Sequence, residues 1–269
     1  MKGKKPMKSA VKRLKNKVEY IMILIAVLGL NTSCNKVNVN KQSIDKQELY
    51  NSYIRYENLS NSITSGYNVV GKKFSLINSA MNLDIDYPCV LGMEDIEKQE
   101  QINKLIFLIS TGTYYDIFVH NGLEVSSNYS IIYSDKSYLS IKYDGFVVVR
   151  EANRPHYMCF CLNVDLQTGE IIKLEDLVDI EKLKDNFVKD NFTVVKGLDE
   201  NIPVDEKGWK DLFNEYLKYP FLDEDDLHNY DFYFTNNKIG LIISCNADAG
   251  GRYIILESND NLSLDDIKP

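Results

Sequence analysis

Between residues 93 and 110, MEDIEKQEQINKLIFLIS, the apolar positions Ile96, Ile102, Leu105, Ile106 and Ile109 recur at the three- and four-residue steps of one helical face. Asp95 and Glu97 stand near the start, where the helix dipole favours acids. The rhythm then shortens to two. Leu123–Tyr133, Tyr138–Val149 and His156–Leu166 alternate or are dense in β-branched and aromatic residues, which predicts three strands. The gaps at Ser134–Lys136 and Glu151–Pro155 are short enough for antiparallel hairpins. Gln167-Thr168-Gly169-Glu170 predicts a turn, with glycine where a positive φ is affordable.

On either side the pattern is shorter. Leu49, Tyr53, Tyr56 and Ile63 suggest a short helix over 47–65, and Phe74–Tyr87 reads as a strand in which Ile85 and Tyr87 alternate with Asp84 and Asp86. Leu174–Leu177 enters a helical region. Lys182–Val188 and Lys207–Tyr219 are expected helices, anchored by Trp209 and Phe213. Strands return at Tyr230–Thr235, Ile239–Cys245 and Tyr253–Glu257, with Asn236-Asn237 as a hairpin turn. Strands, then helices, then strands predict an α+β fold with a mainly antiparallel β-sheet packed with a few helices. Eighteen Tyr, eleven Phe and one Trp supply material for a folded core and suit half-buried strands.

The N-terminus has a different pattern. Eight Lys or Arg fall within the first seventeen residues, and the ten-residue apolar run IMILIAVLGL follows at 21–30, then Asn31-Thr32-Ser33-Cys34. A basic head, a short apolar core and small residues form the pattern of an export signal. The run is half of the roughly 20 apolar residues a membrane-spanning helix needs. A cysteine just after small residues resembles the bacterial lipobox, in which a diacylglycerol is attached to the thiol and the chain is cut before it. The Leu usual three residues before that Cys is Asn31 here, with Leu30 one position further back. The expectation is a lipidated Cys34 and attachment to the cell membrane through that anchor. An ordinary cleaved signal and a short signal anchor are the alternatives.

Removing residues 1–33 takes away eight basic residues and one acid, so the full chain's 31 and 39 become 23 and 38, a net charge of −15 instead of −8. Such a chain repels phosphate backbones and favours cationic partners. Nucleic acid is therefore not an expected partner, while a cationic envelope or host protein is compatible with the charge. The oligomeric state is open. Residues 35–46 are polar and read as a tether.

Four cysteines remain beyond Cys34. Cys159 and Cys161, two apart on an expected strand, face one side of it and cannot easily bridge each other. Buried free thiols, or one disulfide to Cys89 or Cys245, are the readings left open. Zinc needs two spaced pairs of ligands, and only one close pair exists. His156, at a loop-to-strand junction, is the sharpest candidate for chemistry near neutral pH. His120 and His228 stand apart, and the acidic run Asp223–Asp226 lacks the glycine and spacing of an EF-hand. No G-x-S-x-G, H-E-x-x-H or phosphate-binding loop occurs, and Gly250-Gly251 reads as a turn. No catalytic residue, metal site or cofactor is expected.

The order of segments is familiar. Tyr87-Pro88 ends a strand, INKLI follows at 102–106, then a meander, then DLQTGEIIKLEDL at 165–177 and DFYFTNNKIGLII at 231–243. The chain resembles the paired extracytoplasmic domains DUF4163 and DUF3298 over roughly residues 70–265. The best piece is D-x-x-T-G-x-x-x-x-L-x-D-L, at Asp165, Thr168, Gly169, Leu174, Asp176 and Leu177. These domains occur in surface lipoproteins, in the outer half of a lysozyme-sensing anti-sigma factor, and ahead of peptidoglycan deacetylase domains. The resemblance implies two sequential subdomains: 1–33 a lipoprotein-type signal peptide, 34–69 a tether and N-terminal segment, 70–164 DUF4163-like, 165–269 DUF3298-like. The family often has a Gly-Gly-Ala-His loop where this chain has Ala152-Asn153-Arg154-Pro155-His156, and a longer Tyr- and Pro-containing loop where this chain has Asn246–Gly251. Asn153, Arg154, His156, Asp248, Gly250 and Gly251 are the candidate ligand-loop residues. The expectation is a non-catalytic, lipid-anchored binding or sensing protein of the bacterial envelope, with a lysozyme-like enzyme as one cationic partner. The alternative is a peptidoglycan-modifying enzyme or an accessory domain of one.

Overall fold

The computed structural model describes residues 61–64, 66–77, 81–112, 122–149, 155–197, 202–218, 231–244 and 253–269. The fold is α+β, with two sheets. The larger has seven strands in chain order: β1 (Asn61–Thr64), β2 (Tyr67–Ile77), β3 (Met81–Leu91), β4 (Leu123–Ser134), β5 (Tyr138–Val149), β6 (His156–Asp165) and β7 (Glu170–Ile171). Neighbours are antiparallel except β3 and β4, which run parallel from Met81–Leu123 to Ile85–Ser127. A parallel pair needs a long connection, and helix α1 (Ile96–Gly112) lies within it.

Helix α1 starts where Asp95 accepts the Lys98 N–H at 2.9 Å, satisfying one of the free donors of a first turn. It buries Ile102, Ile106 and Ile109 against β3 to β6. Ile96, expected on that face, is 56% exposed, because it is the first helical residue and precedes the packed turns. Asn103 ties helix to sheet: its side chain accepts the Val90 N–H at 2.7 Å and donates to the Val90 carbonyl at 2.8 Å. It thus takes the place of a neighbouring strand where β3 has run past its pairing with β4.

Three expectations change. Residues 61–64, the end of the expected 47–65 helix, form β1 against β2; the rest of that segment lies outside the described residues. The single strand expected at Phe74–Tyr87 is a hairpin of β2 and β3, paired from Asn68–Leu91 to Ile77–Asn82. Alternation had masked the polar Asn78-Ser79 that stands between them in the sequence, a pair with turn chemistry. A strand that the pattern did not single out, β8 (Phe192–Lys196), opens the second sheet; its five residues are too few for periodicity to separate from the helices on each side.

The second sheet has the order β8, β11 (Tyr253–Ser258), β10 (Ile239–Ser244), β9 (Phe232–Phe234), all antiparallel. Its helices are α2 (Leu174–Leu177), α3 (Ile180–Asn186) and α4 (Glu206–Lys218). Asp179 caps α3 by accepting the Glu181 and Lys182 N–H groups, and its own N–H donates to Ile267 at 2.7 Å, which ties down the C-terminal turn. The segment D-x-x-T-G owes its residues to local geometry. The Asp165 carboxylate accepts the Gln167 and Thr168 N–H groups at 2.7 and 3.1 Å, and Gly169 has φ +77°, which favours glycine. Leu174 is buried, and the Asp176 carboxylate accepts the Lys173 N–H at 2.8 Å to open α2.

Each sheet has its own core. Around α1, Tyr143 and Phe160 face each other across β5 and β6 and stack at 4.7 Å. In the second core Phe187 meets Phe192, Trp209 and Phe213 at 4.9 to 5.2 Å. A third, smaller cluster joins the sheets: Cys159 and Cys161 of β6 pack on Tyr233, Ile242, Tyr253 and Ile255. Among the described residues no helix is long and apolar enough to cross a membrane.

Candidate functional site at the junction of the sheets

Side-chain chemistry concentrates at this junction, on strands rather than loops. Successive residues of β6 point to opposite faces. Phe160, Leu162 and Val164 therefore enter the first core, while Cys159, Cys161 and Asn163 turn toward the second sheet. Two sets of polar contacts flank the two thiols.

At the outer side, Asp144 of β5 stands opposite Cys159. Its carboxylate accepts from Tyr253 Oη at 2.5 Å and from Lys196 Nζ at 2.9 Å, with Lys142 Nζ at 3.4 Å. Lys196 also donates to Tyr253 Oη and lies 4.7 Å from the centre of its ring. One carboxylate thus binds β5 to β8 and β11. Burial pushes Asp144 up, but the hydrogen bonds from Tyr253 and Lys196 and the charges of Lys142 and Lys196 outweigh it and hold the carboxyl below its ordinary value. Burial, with the bond to Asp144, drives the Tyr253 hydroxyl upward.

At the inner side, Asn163 accepts from Ser140 Oγ at 2.6 Å and donates to the Phe232 carbonyl at 2.8 Å. Next to it Asp231, 8% exposed, accepts the Cys161 N–H at 3.3 Å. This amide is free because β7 pairs with Val164 and Asp165, and among the described residues no strand pairs with the rest of that edge of β6. Burial raises the Asp231 carboxyl well above its ordinary value, and the single amide offsets only part of this.

Both thiols are free, as is the buried Cys89. Burial, then the charges of Asp144 and Asp231, raise Cys159; burial, then Cys159 and Asp231, raise Cys161. Nucleophilic and metal-binding cysteines act as thiolates, and this environment opposes the thiolate at both positions. Among the described residues no three His, Cys, Asp or Glu side chains are placed to share a metal ion.

Of the residues singled out from the sequence, His156 is described; it opens β6, is exposed, and pairs with Val147. Cys34, Asn153, Arg154, Asp248, Gly250 and Gly251 lie outside the described residues, as do His120, His228, Cys245 and the acidic run 223–226. The structure does define where the two candidate loops are rooted. Tyr253, the first residue of β11, follows the 245–252 segment and is bonded to Asp144, five residues before β5 ends at Val149. Periodicity missed Asp144, Lys196, Asp231 and Tyr253. Two signals were present: an acid within the alternating run of β5, and an acid directly before the three aromatics of β9.

The fold and its junction define an α+β protein of two sheets, each with its own core. No protein-family profile matches the chain, and no curated protein matches it. Among solved structures it is similar to a member of the DUF3298 family from Bacteroides fragilis, with TM-score 0.42 and 11% identity over 69% of this chain and 93% of that one. It is also similar to a DUF3298 family protein from Pseudomonas aeruginosa, with TM-score 0.33 and 10% identity over 70% of this chain and 83% of that one.

Proposed function

We propose that this protein is a lipid-anchored extracytoplasmic protein of the bacterial cell envelope that binds or senses a partner and is not an enzyme. The observation that carries the location is the leader: a basic head, a ten-residue apolar run and Cys34 just after small residues. The resemblance of residues 70–265 to paired DUF4163 and DUF3298 domains supports the same setting. At the junction Asp144, Tyr253, Asp231, Cys159 and Cys161 are engaged in contacts between the sheets. The partner is a cationic protein, such as a lysozyme-like enzyme, drawn by the net charge of −15 left after residues 1–33 are removed from the sequence.

Fatty-acid labelling and membrane fractionation test the anchor. The wild-type chain takes label and sediments with membranes, and Cys34→Ala does neither; a Cys34→Ala protein that stays labelled rejects the reading. For the partner, capture of lysozyme at low salt should weaken at moderate salt, and no salt-sensitive capture rejects a cationic ligand. Loss of muropeptide acetyl groups that tracks His156 would replace the binding reading with an envelope enzyme.

A further inference from the structure

Asp231 stands on the edge between the sheets with its carboxyl buried. We infer that Asp231 is a pH-sensitive latch: its buried carboxyl, while uncharged, holds the bare edge of β6 through the Cys161 N–H, and its ionisation loosens the Cys159–Cys161 face from the second sheet.

Geometry carries this. The carboxyl is 8% exposed and its one amide partner belongs to the other sheet. A buried carboxylate needs a cation or several donors. Among the described residues the cations of the junction, Lys142 and Lys196, both turn to Asp144 instead, at 3.4 and 2.9 Å. Among the described residues, the groups around Asp231 do not supply a countercharge. From β6 it faces the two thiols, which its own charge would disfavour further. From α4, Tyr216 Oη donates to the Asp231 backbone carbonyl at 3.2 Å, not to its carboxyl. From β9, Tyr233 gives its hydroxyl to Glu257 of β11 at 2.9 Å, and Tyr253 gives its own to Asp144. The carboxyl is raised by burial, so the sign is fixed: the stabilisation is complete below the unfolded value, about pH 4, and is lost as pH rises through the folded value.

Amide hydrogen exchange of the whole chain, corrected for intrinsic chemical exchange, tests the latch at pH 5 and pH 9. In the wild type, protection at Cys159 and Cys161 falls at least about tenfold with rising pH, while Ile141 in the first core keeps its protection. Asp231→Asn, which retains an acceptor for the Cys161 amide, abolishes the fall, and Asp144→Asn preserves it. Equal protection at both pH values in the wild type overturns the proposal, as does the same fall in Asp231→Asn or its loss in Asp144→Asn. Should Asp231→Asn fail to fold, the carboxyl carbon of wild-type Asp231 is titrated by NMR: a midpoint above the ordinary carboxylate range upholds the latch, and one within or below that range overturns it.

Discussion

β4 and β6 lie two strands apart in one sheet, yet they bury their side chains differently. From Leu123 to Ser127 on β4, buried Leu123, Val125 and Ser127 alternate with the more open Glu124 and Ser126. On β6 every residue from Cys159 to Val164 is buried. The sequences differ in the same way: the β4 run carries Glu124, Ser126 and Ser127, whereas the β6 run is apolar at every position but Asn163. Over Leu123–Ser127 β4 faces the first core on one side only, its far end at Ile132 and Tyr133 reaching the second sheet, whereas β6 is covered on both faces over Cys159–Val164. A strand buried on both faces loses its alternation and reads as a continuous apolar run. The second sheet repeats the rule: Ile239–Ile243 and Tyr253–Leu256 are buried throughout, one face on the helices and the other on β6.

The largest test of this contrast is Phe160→Ala on the inner face of β6. Loss of a buried ring stacked on Tyr143 should cost roughly 3–5 kcal/mol in chemical denaturation. A cost near zero would mean that β6 does not complete the first core. On the other face, Asn163→Ala leaves Ser140 and the Phe232 carbonyl without their partner and should cost about 1–3 kcal/mol. That loss should appear as weaker docking of the sheets, read by exchange at Cys161. Gly240→Ala is a comparable test within the second sheet. An added Cβ would stand 2.0 Å from the Tyr233 ring, which crosses Gly240 to reach Glu257. Overpacking there should cost about 1–3 kcal/mol, and an unchanged denaturation midpoint would show that the ring can move aside.

Asp144→Asn should cost less, about 1 kcal/mol or below at neutral pH, since Lys196 is 53% exposed and solvent screens the pair. Its pH dependence is opposite to that of Asp231. Because the Asp144 carboxyl is lowered, its stabilisation is present above its unfolded value, about pH 4, and is lost as pH falls through the folded value. Acid unfolding of the Asn variant should therefore be shallower than that of the wild type; an identical acid limb would remove Asp144 from the clamp. The smallest effect is Glu124→Ala on the open face of β4, within about 0.5 kcal/mol of the wild type. A larger loss would mean that this face is covered too.

Much of the fold was legible. α1, β4, β5 and the turn at Gly169 follow from spacing and turn chemistry, because each buries one face or needs one local conformation, and β6 follows from its dense apolar and aromatic run. The hairpin of β2 and β3 was not, since continuing alternation hides a reversal in the middle of a run. Nor was β8, whose partner β11 lies about sixty residues away in the chain. The shared orientation of Cys159 and Cys161 was legible from period two alone. What they face was not, because the covering strands come from the end of the sequence.

The order of local elements, the charge of the chain and the pattern of its leader were determined by the sequence itself, since each depends on neighbours in the chain or on composition. Only the tertiary structure decided which acid is paired and which is left alone. Asp144 and Asp231 are both aspartates beside apolar strands, and the local difference between them is Lys142, two residues before Asp144. Packing brings Lys196 and Tyr253 to the first and, among the described residues, a single backbone amide to the second. A carboxyl's response to burial is set by the partners that accompany it, and Lys196, Tyr253 and Cys161 lie far in the chain from the acids they meet.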